Sequence, residues 1–219
     1  MIRRVVVAAL ALGLVGVGVS SAQAQAKKPP LPKGTAVTLN GKVEQVVPQG
    51  LVIDAAGKKY AMVVMPGSTL SVTGTATADF LGPGAFVQFD CELDGSGKPT
   101  KEVAKIQITE PSQLNQPGIF NEAGPDAVQG QGGKYFVRGT VKTNKNGQLT
   151  VQAGPKPITV QVSGAAAIPV TFSDWKMASV GDSVTGSAIA GQANPQFTPI
   201  VAENVTIKAA MPFQKKKGR

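Results

Sequence analysis

The sequence contains no histidine in its 219 residues. That absence excludes Ser-His-Asp and Cys-His catalysis, histidine-ligated zinc and the HExxH metalloprotease pattern. It also removes the commonest side chain that exchanges protons near neutral pH. We therefore expect a protein that is not an enzyme and that needs no cofactor and no metal. A hydrolase using carboxylates or a Ser–Lys pair is the alternative.

Cysteine and aromatic residues are also scarce. The single cysteine, Cys91, permits no disulfide within the chain, and its place among alternating apolar residues predicts a small buried side chain. A fold without disulfides depends on its hydrophobic core. Aromatic residues make up only 5% of the chain, which is few for a protein that stacks on successive bases.

The first 26 residues have the pattern of an export signal. Arg3 and Arg4 precede an apolar run at residues 5–19, and small residues follow with two A-x-A cleavage sites that end at Ala24 and Ala26. The apolar run is shorter than the roughly 20 residues that span a membrane as a helix. The pattern predicts an exported protein, periplasmic or secreted, that meets the membrane only through this segment before cleavage.

The net charge of +9 is concentrated at the two ends of the chain. Nine of the 22 basic residues lie in the signal, in the segment 27–33 or in the tail 215–219, whereas all 13 acidic residues lie between positions 34 and 214. The body of the protein is therefore formally neutral, unlike a typical nucleic-acid-binding domain. Residues 134–210 carry a modest basic excess, with seven basic and three acidic groups.

A repeat at a spacing of about 98 residues organises the rest of the chain. LVI at 51–53 recurs as LTV at 149–151, and DF at 79–80 recurs as DW at 174–175. The copies agree in hydrophobic spacing and turn placement more than in polar identity, which indicates a repeated fold. Apolar runs bounded by Gly, Pro, Asn and Asp predict five strands in each copy. These are residues 37–44, 51–55, 59–64, 86–93 and 102–108, and residues 135–143, 148–153, 158–162, 182–189 and 201–207.

A short helical turn is predicted between the third and fourth strands of each copy, with Thr77 and Ser173 as its caps. Three strands, a longer connection with a short helix and two more strands is the order of an OB-fold. The run from Asp79 through PG at 83–84 to the alternating residues 103–108 resembles the small OB-like barrel modules of exported bacterial proteins. Much of that family has no assigned activity, so the resemblance implies a fold and no mechanism.

These observations predict an all-β protein with two tandem five-stranded OB-like Greek-key small barrels and an N-terminal signal peptide. A stretch rich in Pro, Gly and Gln joins the copies and is predicted to be a linker, and Ile119 and Phe120 can pin its middle against a barrel. The predicted segments are the signal peptide 1–26, a Pro/Lys-rich lead-in 27–33, repeat one 34–110, the linker 111–133, repeat two 134–210 and a basic C-terminal tail 211–219.

Three short motifs imitate catalytic or ligand-binding patterns. SDWK at 173–176 matches the S-x-x-K nucleophile motif, but the companion S-D-N and K-T-G motifs are missing, which favours a capping and core-anchoring role. Asp90, Glu92 and Asp94 imitate the start of a calcium loop, yet its closing position holds Lys101. GSGK at 95–98 lacks both the first glycine and the final Ser/Thr of a phosphate loop.

One strand face of the second copy is the candidate ligand-binding site. Lys134, Phe136, Arg138, Thr140 and Lys142 share one parity and therefore lie on one side of the strand. OB-folds use basic residues around aromatic side chains to follow phosphates and stack bases. The same face of the first copy has no aromatic residue. The alternative interpretation is a solvated face whose lysines protect a sheet edge.

We expect an exported, non-catalytic binding or structural module of the cell envelope, with an envelope protein or an anionic polymer as its partner. The alternative is a polyanion-binding protein, for nucleic acid or an anionic envelope polymer. That protein would use Lys134, Phe136, Arg138 and Lys142 together with the basic tails. Each alternative makes a different prediction for the surroundings of this strand.

Overall fold

Strands account for nearly all the regular structure in the described part of the chain. The structure is a computed structural model, and it describes residues 34–113, 115–121, 132–192 and 196–215. Within these ranges the protein is all-β, with fourteen strands and two 3₁₀ turns, Ala78–Phe80 and Trp175–Met177. The strands are β1 (Thr35–Val47), β2 (Gly50–Ala55), β3 (Lys58–Val63), β4 (Thr69–Thr75), β5 (Phe86–Leu93), β6 (Val103–Lys105), β7 (Gln107–Thr109), β8 (Gly118–Asn121), β9 (Gly133–Lys145), β10 (Gln148–Ala153), β11 (Lys156–Ala167), β12 (Pro169–Phe172), β13 (Ser183–Ala190) and β14 (Thr198–Lys208).

The ten strands predicted from the sequence are confirmed. In the first copy they are β1, β2, β3, β5 and the broken strand β6–β7, and in the second copy β9, β10, β11, β13 and β14. The structure adds β4 and β12 in the two longer connections, and β8 in the predicted linker. The signal peptide, the lead-in and the tail beyond Lys215 lie outside the described residues and stay predictions.

Five of these strands close into a barrel. β1 pairs with β2, β2 with β3, β3 with β14, β14 with β13, and β13 with β1. Only the β3–β14 pair is parallel. β1 closes the barrel because its first part pairs with β13 and its last part pairs with β2. The change of partner falls at Gly41 and Lys42. A Cβ atom at Gly41 would lie 2.1 Å from the Asp54 carbonyl oxygen, so only glycine permits this approach.

The barrel takes its strands from both copies of the repeat. β1, β2 and β3 belong to the first copy, whereas β13 and β14 belong to the second. The remaining strands show the reverse exchange: β9, β10 and β11 pair in sequence, β11 pairs with β6, β7 pairs with β5, and β5 returns to β9. We call these two assemblies the first barrel and the second group. Matching backbone bonds mark the exchange, from Gly181 N to Val43 O (2.8 Å) and from Gly84 N to Val141 O (2.9 Å).

This pairing corrects the expectation of one barrel per copy. After β3, the chain continues as β4 in parallel along β14, with Leu70 opposite Val205. β4 also pairs antiparallel with β12, where Thr73 lies opposite Thr171. Because β4 takes its backbone partners from strands of the second copy, it carries the chain out of the first barrel. β5 therefore begins beside β9, in the second group. The residue boundaries of the two repeats stay a prediction.

Inward-facing side chains at matching positions fill the two assemblies. They alternate with more exposed residues along each strand, as expected for a sheet with one buried face. The matched buried pairs of the first and second copy include Val43 and Val141, Leu51 and Leu149, Ile53 and Val151, and Met62 and Val160. At the junction, the rings of Phe80, Phe172 and Phe213 pack with centroids between 5.8 and 6.3 Å apart. This contact ties the first 3₁₀ turn and the C-terminal segment to β12.

A buried carboxylate holds the end of the chain against the first barrel. Asp182 is 3% exposed and is the one buried charged side chain among the described residues. Its Oδ2 atom accepts a hydrogen bond from Ser179 N at 2.7 Å, and Oδ1 accepts one from Ala210 N at 2.9 Å. The Asp182 carbonyl also accepts from Val43 N in β1. One residue thus joins β1, β13 and the segment that follows β14.

We predict that Asp182→Asn lowers the free energy of unfolding by about 2 kcal/mol, because one backbone N–H then faces an amide NH₂ group in a buried site. Urea unfolding followed by circular dichroism measures this change. Asp90→Asn is the control, since it removes the same charge from an exposed position. A loss of stability no greater than that of the control would contradict the role assigned to Asp182.

The strand exchange predicts that cutting the chain between the copies leaves the halves together. A site-specific protease sequence inserted after Gly124 allows the full protein to be cut between its copies. We expect the cut protein to elute from a sizing column as one species and to separate only in denaturant, because each half supplies strands to both assemblies. Separation under native conditions would mean that each copy closes on itself.

Candidate functional site

The candidate ligand-binding residues occupy one face of β9, as predicted. Val137, Gly139 and Val141 point inward, with Val137 and Val141 fully buried. Lys134, Phe136, Arg138, Thr140 and Lys142 alternate with them on the opposite face and are half-buried or exposed. The structure therefore confirms the shared face.

Two of these side chains meet a third that the predicted linker supplies. The guanidinium carbon of Arg138 lies 4.8 Å from the centroid of the Phe136 ring and 5.6 Å from that of Phe120. Phe120 belongs to β8, which pairs antiparallel with β9 so that Phe120 lies opposite Phe136 and Gly118 opposite Arg138. We call these three residues the aromatic–guanidinium cluster: Phe120, Phe136 and Arg138. A cation between two aromatic faces is attracted by both ring quadrupoles.

β8 settles the role of the middle of the linker. Ile119 packs against the hydrophobic core, whereas Phe120 turns outward and keeps 42% of its surface exposed. The Phe120 ring lies over its own strand: a Cβ atom at Gly118 would come within 2.8 Å of the tip of that ring. Glycine at this position therefore leaves space for the ring beside Arg138. The apolar pair at 119–120 was the only sequence signal for this strand.

The two lysines of the candidate site are not part of this cluster. Lys134 lies opposite Glu92 of β5, and Lys101 also bonds Glu92, at 2.9 Å. Lys142 lies at the irregular step between β9 and β10, four residues from Arg138 and eight from Lys134, which is roughly 13 and 26 Å along an extended strand. Asp90 lies opposite Phe136. Acidic side chains of β5 thus interrupt the basic face, and the structure does not form the continuous positive track that a polyanion needs.

The calcium-like and phosphate-like motifs form an ordinary turn. Asp94 Oδ1 accepts hydrogen bonds from Lys98 N and Ser96 N, each at 2.9 Å, and from the Ser96 hydroxyl. The Lys98 N–H is the main cause that holds the pKa of Asp94 below its usual range, and the Ser96 hydroxyl adds to it. The carboxylate therefore serves the hairpin itself. Within the described ranges, no group of three or more Cys, Asp and Glu side chains is placed to hold a metal ion.

The S-x-x-K segment has a structural role. Ser173 N donates to Glu110 Oε2 at 3.0 Å, and the Lys176 ammonium lies 5.8 Å from the centroid of the Trp175 ring. Ser173 was predicted to cap the second 3₁₀ turn, and this is wrong: Asp174 occupies the cap position and accepts a bond from Lys176 N. In the first turn, Thr77 does stand at the cap position but makes no side-chain bond to the turn backbone; its hydroxyl bonds Asp79 instead.

A shallow groove, which the sequence did not indicate, lies beside the junction of the two assemblies. It has a volume of about 340 Å³, and its walls include Phe86, Ile108, Phe172 and Met177, with Lys215 at the edge. No carboxylate and no cysteine lines it. Cys91 is instead buried in the core, as predicted, and burial raises the pKa of its thiol, with a smaller contribution from Glu92.

The comparisons with known proteins add no assignment. No protein-family model, no curated protein and no solved structure matches the chain. No helix in the described ranges is long and apolar enough to cross a membrane. The function therefore has to be argued from the surfaces themselves.

We predict that replacing Lys134, Arg138 and Lys142 by Gln leaves polyanion binding by the full chain almost unchanged. Any attraction from the basic tails is the same in both proteins, and acidic neighbours already interrupt the strand. The measurement is oligonucleotide affinity between about 50 and 200 mM salt, where each lost phosphate contact lowers the slope of log K by about 0.9. A slope reduced by two to three contacts would support a polyanion track on β9 instead.

Proposed function

We propose that the protein is an exported, non-catalytic binding module of the cell envelope that recognises a protein partner through the aromatic–guanidinium cluster. One observation carries this proposal: an arginine guanidinium over two phenylalanine rings on an outer strand face, with one ring 42% exposed. Arginine and aromatic residues are enriched at the energetic centres of protein interfaces, and rigid side chains lose little entropy on binding.

The difference between the two copies supports this assignment. At the positions of Phe136 and Arg138, the first copy has Thr38 and Asn40 on the matching strand. Thr38 and Asn40 are exposed and occupy the same outer face of β1. The fold therefore accepts small polar residues at these positions, and packing does not account for the cluster. β8 adds Phe120 only to the second group, because it pairs with β9.

The strand order is consistent with the proposed OB-like architecture. The circuit β1-β2-β3-β14-β13, with its single parallel pair, is the order expected for a five-stranded OB-like barrel, although two copies contribute to it. Such barrels commonly bind their ligands on one open strand face. The export signal supports a role in the cell envelope, where a chain without disulfides depends on its core and its contacts.

The mixed charge around the cluster favours a protein over a polyanion. Asp90 and Glu92 flank it on β5, and Lys134 flanks it on β9. A protein surface with side chains of both signs can complement this pattern, whereas a uniformly negative polymer meets repulsion at two positions. The polyanion alternative is therefore left to the basic tails, and it is not needed to explain the cluster.

We predict that Phe120→Ala weakens binding of the partner roughly thirtyfold, the effect of losing about 2 kcal/mol at the centre of an interface. Full-length tagged protein, isolated from its own cell envelope after mild cross-linking, identifies the partner, and titration with the purified partner gives the affinity. Phe197→Ala is the matched control, because Phe197 is 37% exposed and lies in the other assembly.

The proposal requires the control to keep wild-type affinity while Phe120→Ala loses it. Arg138→Lys is the second variant, since it keeps the charge but loses the flat guanidinium that lies over the two rings, and it should weaken binding of the same partner. Equal affinity in wild type, Phe120→Ala and Arg138→Lys would overturn the proposal.

A further inference from the structure

A band of apolar side chains crosses outer strand faces of the first barrel. Its members are Ala36 and Val47 of β1, Ile189 of β13, Val201 of β14 and Val63 of β3, and we call this set the apolar belt. Neighbouring strands bring them together: Ala36 lies opposite Ile189, Ile189 opposite Val201, and Val201 opposite Val63. Val47 and Val63 both lie opposite Gly50. None of the five belongs to the buried core, and Val63 is 40% exposed.

The second group has polar residues at the same positions. In place of Ala36 and Ile189 it pairs Lys134 with Glu92, and in place of Val47 and Val63 it has Lys145 and Gln161. The repeat places Glu102 at the position of Val201. The matched positions are therefore polar or charged throughout the second group. The fold does not require apolar residues at this level, so the belt serves something other than the stability of one barrel.

The next row of side chains repeats the contrast. In the first barrel, Val52 lies opposite Ala61, and Ala61 lies opposite Pro199. The second group has Thr150 and Thr159 at the first two positions, and their hydroxyl oxygens are 3.0 Å apart in a hydrogen bond. The apolar surface of the first barrel is thus two rows deep, whereas the matching surface of the second group carries polar, hydrogen-bonded side chains.

One exposed residue beyond the end of β3 extends the belt. Met65 lies two residues after Val63 and keeps 43% of its surface exposed. Strand spacing and rise give the two rows a flat area of roughly 250–300 Å² over four strands. Ordinary monomers expose apolar patches of this size or larger, so the belt is distinguished by its contrast with the second group.

The charges around the belt select its occupant. Lys42 and Lys59 lie on either side of Asp54 in the adjoining row, Lys59 forms an ion pair with Glu44, and Glu203 is exposed on β14. A protein surface that binds anionic lipid has a predominantly basic rim. The rim of the belt carries charges of both signs. An uncharged centre with a rim of both signs is the anatomy of a protein interface. Two copies related by a twofold axis can bring these rims into register, since each rim carries its own opposite charges.

We propose that the apolar belt is the contact surface for a second copy of this chain, formed by packing the outer sheet faces of two first barrels. The belt lies in the first barrel and the aromatic–guanidinium cluster in the second group, so the self-association is separate from the proposed partner binding. The small area places the dimer in the weak class, with a dissociation constant of about 1–100 µM, compared with the roughly 800 Å² per partner of a stable complex.

The test is sedimentation equilibrium of the full mature chain over about 1 to 500 µM. The belt variant carries Val63→Gln, Ile189→Glu and Val201→Glu, which are the residues that the second group has at these positions. We expect the wild type to dimerise and the belt variant to remain monomeric over the whole range. The reverse exchange, Gln161→Val in the second group, is the matched control and should leave the dissociation constant of the wild type unchanged.

Thermal unfolding of each variant shows whether the fold is retained. If the triple variant does not fold, the single variant Val63→Gln, at a side chain already 40% exposed, should still raise the dissociation constant roughly tenfold. A wild type that is monomeric at the highest concentration overturns the proposal, as does a folded belt variant that dimerises like the wild type. Flotation of a monomeric wild type with anionic vesicles, abolished in the belt variant, would assign the belt to lipid and also overturn it.

Discussion

The parallel contact of β14 with β3 and β4 is the constraint on which the rest of the structure depends. β14 lies beside Tyr60 to Val63 with its first half and beside Thr69 to Thr73 with its second. The Ser68 hydroxyl donates to the Ala202 carbonyl where the chain passes from β3 to β4, so the gap between the two pairings is also bonded. β14 pairs with β3 and β4 of the first copy. β5 and β7 therefore pair with β9 and β12 of the second copy. Each assembly is therefore incomplete without the other.

Strand positions follow directly from the sequence, because they depend on local patterns. The alternation around Leu39 and Val43 and the turn glycines predict β1 and its neighbours. TLSVTGT at 69–75, with Leu70 and Val72 buried, has the same alternation, but β4 was not among the predicted strands. The exchange of strands does not follow from the sequence. The strands around Val87 (β5) and Val184 (β13) have the same alternating pattern, so either could pair with β1 or with β9. Hydrophobic spacing therefore cannot distinguish a strand that returns to its own copy from one that crosses over. That choice is made by the backbone pairing of β4 and β12.

The candidate site was predictable in the same partial way. Parity along one strand places Phe136 and Arg138 on a common face, because alternation depends only on the strand itself. Phe120 joins them through a strand pairing that spans the linker, and Asp90 and Glu92 reach the site through a pairing of β5 with the other copy. Those neighbours decide whether the face attracts a polymer or a protein. The two copies have similar buried side chains and different outer ones. The features that distinguish the two halves therefore lie on the outer strand faces.

The position of β14 in the chain also governs when the protein can fold. Tyr60 and Thr198 are neighbours in the finished barrel but lie nearly 140 residues apart in sequence. Closing such a loop costs entropy before any contact compensates for it, and topologies of this kind fold slowly. During synthesis, the first three strands cannot close into the barrel until β14 has left the ribosome. Until β14 arrives, the edges of β1 and β3 that it and β13 will cover have unpaired backbone groups, so the order of synthesis sets how long these edges stay open to other contacts.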